Sequence, residues 1–113
     1  VKTIEEFVHE LESLLPQYLP PHTRQVFLHT AQSYKTHFHI RPDFLLAVRY
    51  NATNGRTDVA LILQQQRVFG FDNLKEWHFH PFENPLSHIP CDEPTLEFIL
   101  RETSTIINRI ITL

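Results

Sequence analysis

At 113 residues and 13.4 kDa, with 42% apolar and 12% aromatic residues, the chain has the makings of one domain around one hydrophobic core, not of a disordered segment. Its net charge of −3 argues against broad electrostatic binding to nucleic acid, so any such contact needs a local basic patch. No apolar run approaches the roughly 18 residues that suggest a membrane span.

The start carries neither a basic apolar leader nor a small-residue cleavage site, and the lone Cys91 has no internal disulfide partner. Both point to a soluble, cytoplasmic protein without membrane contact. "TIEEFVHELESLLP" reads as a helix. Thr3 and Glu6 have capping-box spacing, and Ile4, Phe7, Val8, Leu11, Leu14 and Leu15 form one apolar stripe. Pro16 and the pair Pro20–Pro21 are expected to stop it.

The period then changes. "TRQVFLHTAQSYKTHFHI" reads as two short strands or one bent one. "FLLAVRYN" and "TDVALILQQQRVFGF" are rich in Val, Leu, Ile and Phe and read as strands, with the Asn-Gly of "NATNGR" favouring a tight turn between them. "EWHFHPF" is one more strand or an extended segment, and Pro81 puts it at an edge or a strand end. "CDEPTLEFILRETSTIINRIITL" returns to helical spacing, with Asp92 as the expected N-cap and Pro94 where a missing N–H matters little. Residues 1–113 are therefore read as a single α+β domain. It has an N-terminal helix, an antiparallel β-meander of about four to five strands, and a long C-terminal helix packed on one sheet face.

The chemistry concentrates in "FDNLKEWHFHPFENPLSHIPCDEP", residues 71–94, which holds three of the eight histidines, the only Trp and the only Cys. His37 and His39 are two apart, as are His78 and His80, so on strands each pair points to one side. If the pairs lie on neighbouring strands, His37, His39, His78 and His80 could hold a divalent metal. Asp72, Glu83, His88 and Cys91 are further ligands within reach of that reading. The alternative is that these imidazoles are polar side chains on a solvated sheet face, with Trp77 and Phe79 in the core opposite.

The same histidines also suit metal-independent acid–base cleavage of RNA, because an imidazole populates both protonation states near neutrality. In that reading His78 and His80 are catalytic and Asp72 orients them. Arg67 and Lys75 face phosphate, and Trp77 stacks on a base. Asp72–Asn73 has a plainer reading as turn chemistry. Cys91, just before a proposed helix start, invites a thiol pKa lowered by the helix dipole, though a small buried Cys between Pro90 and a helix cap is commonplace.

Phe71-Asp72-Asn73 followed by His78-Phe79-His80-Pro81 resembles the TumE family of small toxins from prokaryotic toxin–antitoxin pairs, over residues 44–90. The resemblance implies a toxin of ribonuclease type, with RNA as target, no required cofactor and an antitoxin protein as partner. A non-enzymatic interaction module is the competing reading. The paired isoleucines of the last helix motivate it, and they would make a homodimer or partner-binding surface if left uncovered.

Overall fold

The structure is a computed structural model and describes residues 1–113. Helix α1, Ile4–Tyr18, starts at the expected capping box: the Glu6 N–H donates to Thr3 Oγ1 at 3.1 Å, and the Thr3 N–H to Glu6 Oε1 at 2.9 Å. Replacing Thr3 with Ala removes the acceptor for the Glu6 N–H, while the residue-3 N–H can still donate to Glu6, and is expected to cost about 1 kcal/mol of stability in denaturant unfolding. Unlike the sequence expectation, α1 continues through Pro16. The missing N–H falls in the last turn, and the Leu19 N–H closes the helix on Leu15 O at 2.8 Å.

Seven strands follow: β1 Thr23–His29, β2 Ser33–Arg41, β3 Phe44–Asn51, β4 Thr57–Leu63, β5 Gln66–Asp72, β6 His78–His80 and β7 Ile89–Pro90. They form one antiparallel sheet in strict chain order, a longer meander than the four to five strands expected. The difference comes largely from "TDVALILQQQRVFGF", which is two strands. Gln64 and Gln65 turn the chain at φ 51° and 67°, with none of the Gly, Asn or Asp that normally mark such a turn. Helix α2, Leu96–Ile111, closes the chain with Thr95, not Asp92, as its N-cap.

Strand alternation sorts the side chains. Phe38, Leu46, Val48, Tyr50, Val59, Leu61, Phe69 and Phe71 face the two helices and join Phe7, Leu11, Ile99, Leu100 and Ile107 in one buried core. Phe7 stacks on Tyr50 at 4.3 Å between ring centres. Ile106 and Ile107 are buried and Ile110 and Ile111 pack partly against the same core, so the isoleucine stripe of α2 is largely consumed inside the domain. Exposed apolar residues within the larger elements include Val26, Phe27 and Leu28 on β1 and Phe98 near the start of α2. No helix is long and apolar enough to cross a membrane.

The other sheet face carries no helix. One row across it reads His37, Ala47, Ala60, Gly70, His80 on β2 through β6. The next row reads Lys35, Arg49, Asp58, Asp72, His78. Of the residues singled out for chemistry, the histidine pairs, His88, Asp72 and Arg67 are on these rows or beside them, while Trp77, Cys91 and Glu83 lie toward the helices and Lys75 is in a turn.

Candidate functional site

Strand β6 is three residues long and points His78 and His80 to the open face, with Phe79 turned toward Phe71 on the helix side. Pro81 ends the strand, and residues 81–87 form a loop that returns the chain to β7. The loop is held by Asn84 N–H to Pro81 O at 3.2 Å and Ser87 N–H to Asn84 O at 3.0 Å. Because β7 pairs His78 with Pro90 and Phe79 with Ile89, the returning chain brings His88 beside His80. The ring centres of His88 lie 4.9 Å from His78 and 4.5 Å from His80, and one nitrogen from each of the three rings lies within 4.8 Å of the others. The quoted stretch builds a cluster.

Asp72 completes it from β5. Its two oxygens divide the work. Oδ1 accepts from the Leu74 N–H at 3.0 Å, which is the turn chemistry of an Asp two residues ahead. Oδ2 lies 3.1 Å from His80 Nε2, 3.2 Å from His78 Nε2 and 3.4 Å from Arg67 Nη1. Both readings of Asp72 therefore coexist in one side chain. Burial pushes its carboxyl pKa up, yet the Leu74 N–H, His80, His78 and Arg67 together outweigh burial and hold it below the usual range. The carboxylate stays ionised. Asn73 points away and braces the 52–56 loop: its Oδ1 accepts from the Thr57 N–H at 2.7 Å, and its Nδ2 donates to Gly55 O at 3.0 Å.

Backbone carbonyls set the tautomers. His78 Nδ1 lies 3.0 Å from Glu76 O, and His80 Nδ1 lies 3.1 Å from Pro85 O. A carbonyl only accepts, so each Nδ1 carries a proton and donates it. In the neutral rings both Nε2 atoms then present lone pairs to an ionised oxygen about 3 Å away. Three electron-rich atoms in contact repel unless both rings take a second proton or a cation sits among them.

The sequence expectations divide at this point. His37 and His39 share the open face with His78 and His80, but β2 and β6 are four strand spacings apart, about 19 Å. The two pairs do not form one site. Alternation fixes which side a residue faces and not how far across the sheet it sits; here the strand order separates them. His78 and His80 are also buried, not solvated, because the 81–88 segment folds over them.

Arg67 is partly buried and tied to Asp58 at 3.2 Å as well as to Asp72, so its role is to brace the acidic side of the cluster. Lys75 is exposed in the turn after β5, at φ 70°, and takes part in none of these ion pairs. Trp77 packs against the core from the helix side and helps line a cavity with Phe7, Tyr50 and Leu96, away from the histidines. It is not placed to stack on anything bound at the cluster.

Cys91 is half-buried five residues ahead of α2, too far from the helix start for the dipole to act. Burial, and then the neighbouring Asp92 charge, raises its thiol pKa. Labelling with a disulfide reagent near neutral pH is expected to run slower on the folded protein than on the unfolded chain. Equal rates would contradict this environment.

Comparisons with known protein families, with characterised proteins and with solved structures find no match to this chain. The fold and the cluster define it as an α+β protein with a histidine–aspartate site at one end of an open sheet face.

Proposed function

We propose that this chain is a divalent-metal-binding protein whose centre is formed by His78, His80 and His88 together with Asp72, and that the bound ion serves hydrolysis of a phosphoester. The observation that carries the reading is the pair of Nδ1–H donations to backbone carbonyls. Metal-binding histidines almost always anchor their second nitrogen in this way, which turns the first toward the ion.

The spacing fits as well. Two ligand atoms, each about 2.0–2.1 Å from a tetrahedral ion, stand about 3.4 Å apart. Asp72 Oδ2 is 3.1 and 3.2 Å from the two Nε2 atoms, and one nitrogen of each of His78, His80 and His88 lies within 4.8 Å of the others, so the rings, His88 above all, would close in around a bound ion of zinc type. Imidazole and carboxylate donors suit zinc and its transition-metal neighbours rather than calcium or magnesium. Held by three of these donors, with the fourth position open, the ion would supply Lewis acidity and an activated water. Arg67, 3.4 Å from Asp72 Oδ2, holds that carboxylate in place at the edge of the cluster.

The second reading is the metal-independent ribonuclease of a toxin–antitoxin pair, favoured by the Asp72–His80 hydrogen-bonding distance and by the resemblance over residues 44–90. In it, Asp72 stabilises a doubly protonated His80 that acts as acid. One experiment separates the two. RNA is incubated with protein stripped by chelator, then with zinc, manganese or nickel restored. Activity that appears only on restoration supports the metal centre. Full activity in chelator supports the acid–base toxin, for which expression should also arrest growth unless a partner antitoxin is supplied.

A further inference from the structure

We propose that the open face of the sheet is a binding trench for single-stranded nucleic acid, running from Phe27 past Lys35, His37 and Arg49 to the histidine cluster. This goes beyond the metal reading: the trench is defined by residues that touch no proposed ligand, and binding along it does not require the ion.

The argument starts at the far edge. Phe27, two residues after Gln25 and at the bulge between Val26 and Leu28, lies on the open face beside His37, where it is 45% exposed. His37 lies 4.6 Å from it edge-on, and Lys35 Nζ sits 5.3 Å from the ring centre. A solvent-facing aromatic flanked by a lysine and an imidazole is an arrangement on which a base stacks while its phosphate is neutralised. Lone apolar exposure would not point to nucleic acid. The adjoining charge does.

Next to Phe27 lies a concavity of about 250 Å³ lined by Lys35, His37, Arg49, Asp58 and Arg67 among others. Its floor is low because Ala47 and Ala60 hold the central positions of the row, with Gly70 beyond them. Asp58 is the acidic member, opposite Arg49 across the ladder, yet it is engaged by Arg67 at 3.2 and 3.3 Å. Lys35 and Arg49 are thus left without a carboxylate partner, on a protein whose total charge is negative. Burial, above all, lowers the His37 pKa, so the positive charge on this ground is that of Lys35 and Arg49. An anion is the ligand that this local field favours.

From β1 to β6 the trench spans five strand spacings, about 24 Å, enough for several nucleotides of extended backbone. A duplex is too stiff and broad to lay a base on Phe27 and a phosphate in the concavity together. A single strand can do both.

The test uses the full chain in chelator and a fluorescein-labelled single-stranded RNA of about ten nucleotides, with its DNA counterpart and its duplex alongside. Anisotropy is read across a salt series. Phe27→Ala is expected to weaken single-strand binding about 5- to 100-fold while leaving the salt slope unchanged. Arg49→Ala should reduce the slope of log affinity against log salt by about 0.7, the loss of one phosphate contact. Arg101→Ala, on the helix side, should change neither.

All three positions are at the surface, and circular dichroism checks the fold. RNA binding without DNA binding would assign a role to the 2′-hydroxyl, and equal binding would assign the trench to single strands generally; either supports the proposal. Duplex preferred over single strand, displacement by poly-glutamate at equal charge, or indifference to both Phe27→Ala and Arg49→Ala would overturn it. Because no metal is present, these outcomes are independent of whether the cluster binds zinc.

Discussion

Zinc added to chelator-treated protein is expected to raise the melting temperature by roughly 10 °C at a hundredfold excess over the dissociation constant, and His80→Ala should abolish the rise. The size follows from linkage. A ligand at that excess, bound only by the folded state, adds about 2.7 kcal/mol, and each kcal/mol moves a domain of this size by several degrees.

His80 is the informative position because it holds three links at once. It donates to Pro85 O, faces Asp72 Oδ2 and lies beside His88. Its removal also loosens the 81–88 loop, so the metal-free protein is expected to melt somewhat lower. His88→Ala separates the two effects, since His88 is exposed and has no hydrogen bond to the fold that would be lost. That variant should melt as the parent does without zinc and should gain clearly less with it. Elemental analysis after dialysis gives the stoichiometry, one ion per chain. A parent protein that neither retains zinc nor responds to it in melting would sink the metal reading and leave the acid–base one.

How much of this was legible in the residues follows from what each pattern encodes. The stripes of α1 and α2 and the Thr3–Glu6 box are local, and local chemistry reads directly from neighbouring letters. The turn at Gln64–Gln65 was not legible, because positive φ at two glutamines is imposed by the pairing of β4 with β5 and not by the residues themselves. The N-cap at Thr95 was missed for a related reason: Asp92 is an equally good cap by type, and only the extended path of residues 91–94 decides between them.

The site was half legible. The two-residue spacing of His78 and His80 correctly implies one face, and Asp72 beside them follows from the Asp-Asn turn that ends β5. The pairing of that cluster with His37 and His39 failed because alternation carries no lateral information. His88 was visible as a donor type but not as a neighbour. Its signal was there: a histidine eight residues beyond His80, after a loop with prolines at both ends, is what a short return hairpin delivers. Phe27 alternates with Gln25 onto the open face, but nothing in "TRQVFLH" tells which side of this strand the helices leave uncovered.

Gly70→Val is expected to lower stability by about 1–3 kcal/mol and to weaken zinc binding with it. Gly70 does not hold a left-handed backbone, so the cost is steric. A Cβ there would stand 2.8 Å from Val59 O and 3.2 Å from Ala60 Cα, both main-chain atoms of the neighbouring strand that no rotamer change can move aside. The valine branches deepen that clash and press on Arg67, whose Nη1 is 3.6 Å from the same point. β5 must therefore shift against β4. Asp72 follows two residues along the same strand, and His80 is the cross-strand partner of Gly70 itself, so the displacement enters the cluster directly. In denaturant unfolding the midpoint should fall with an unchanged slope. Gly55→Ala is the comparison: it sits at φ 75° in the loop between β3 and β4, and strain there should cost stability while leaving zinc affinity at the parent value. If Gly70→Val kept the parent midpoint, the close approach of β4 and β5 would not be a constraint. If it lost stability but bound zinc unchanged, the cluster would not depend on the register of β5, and the geometry assigned to Asp72 would have to be given up.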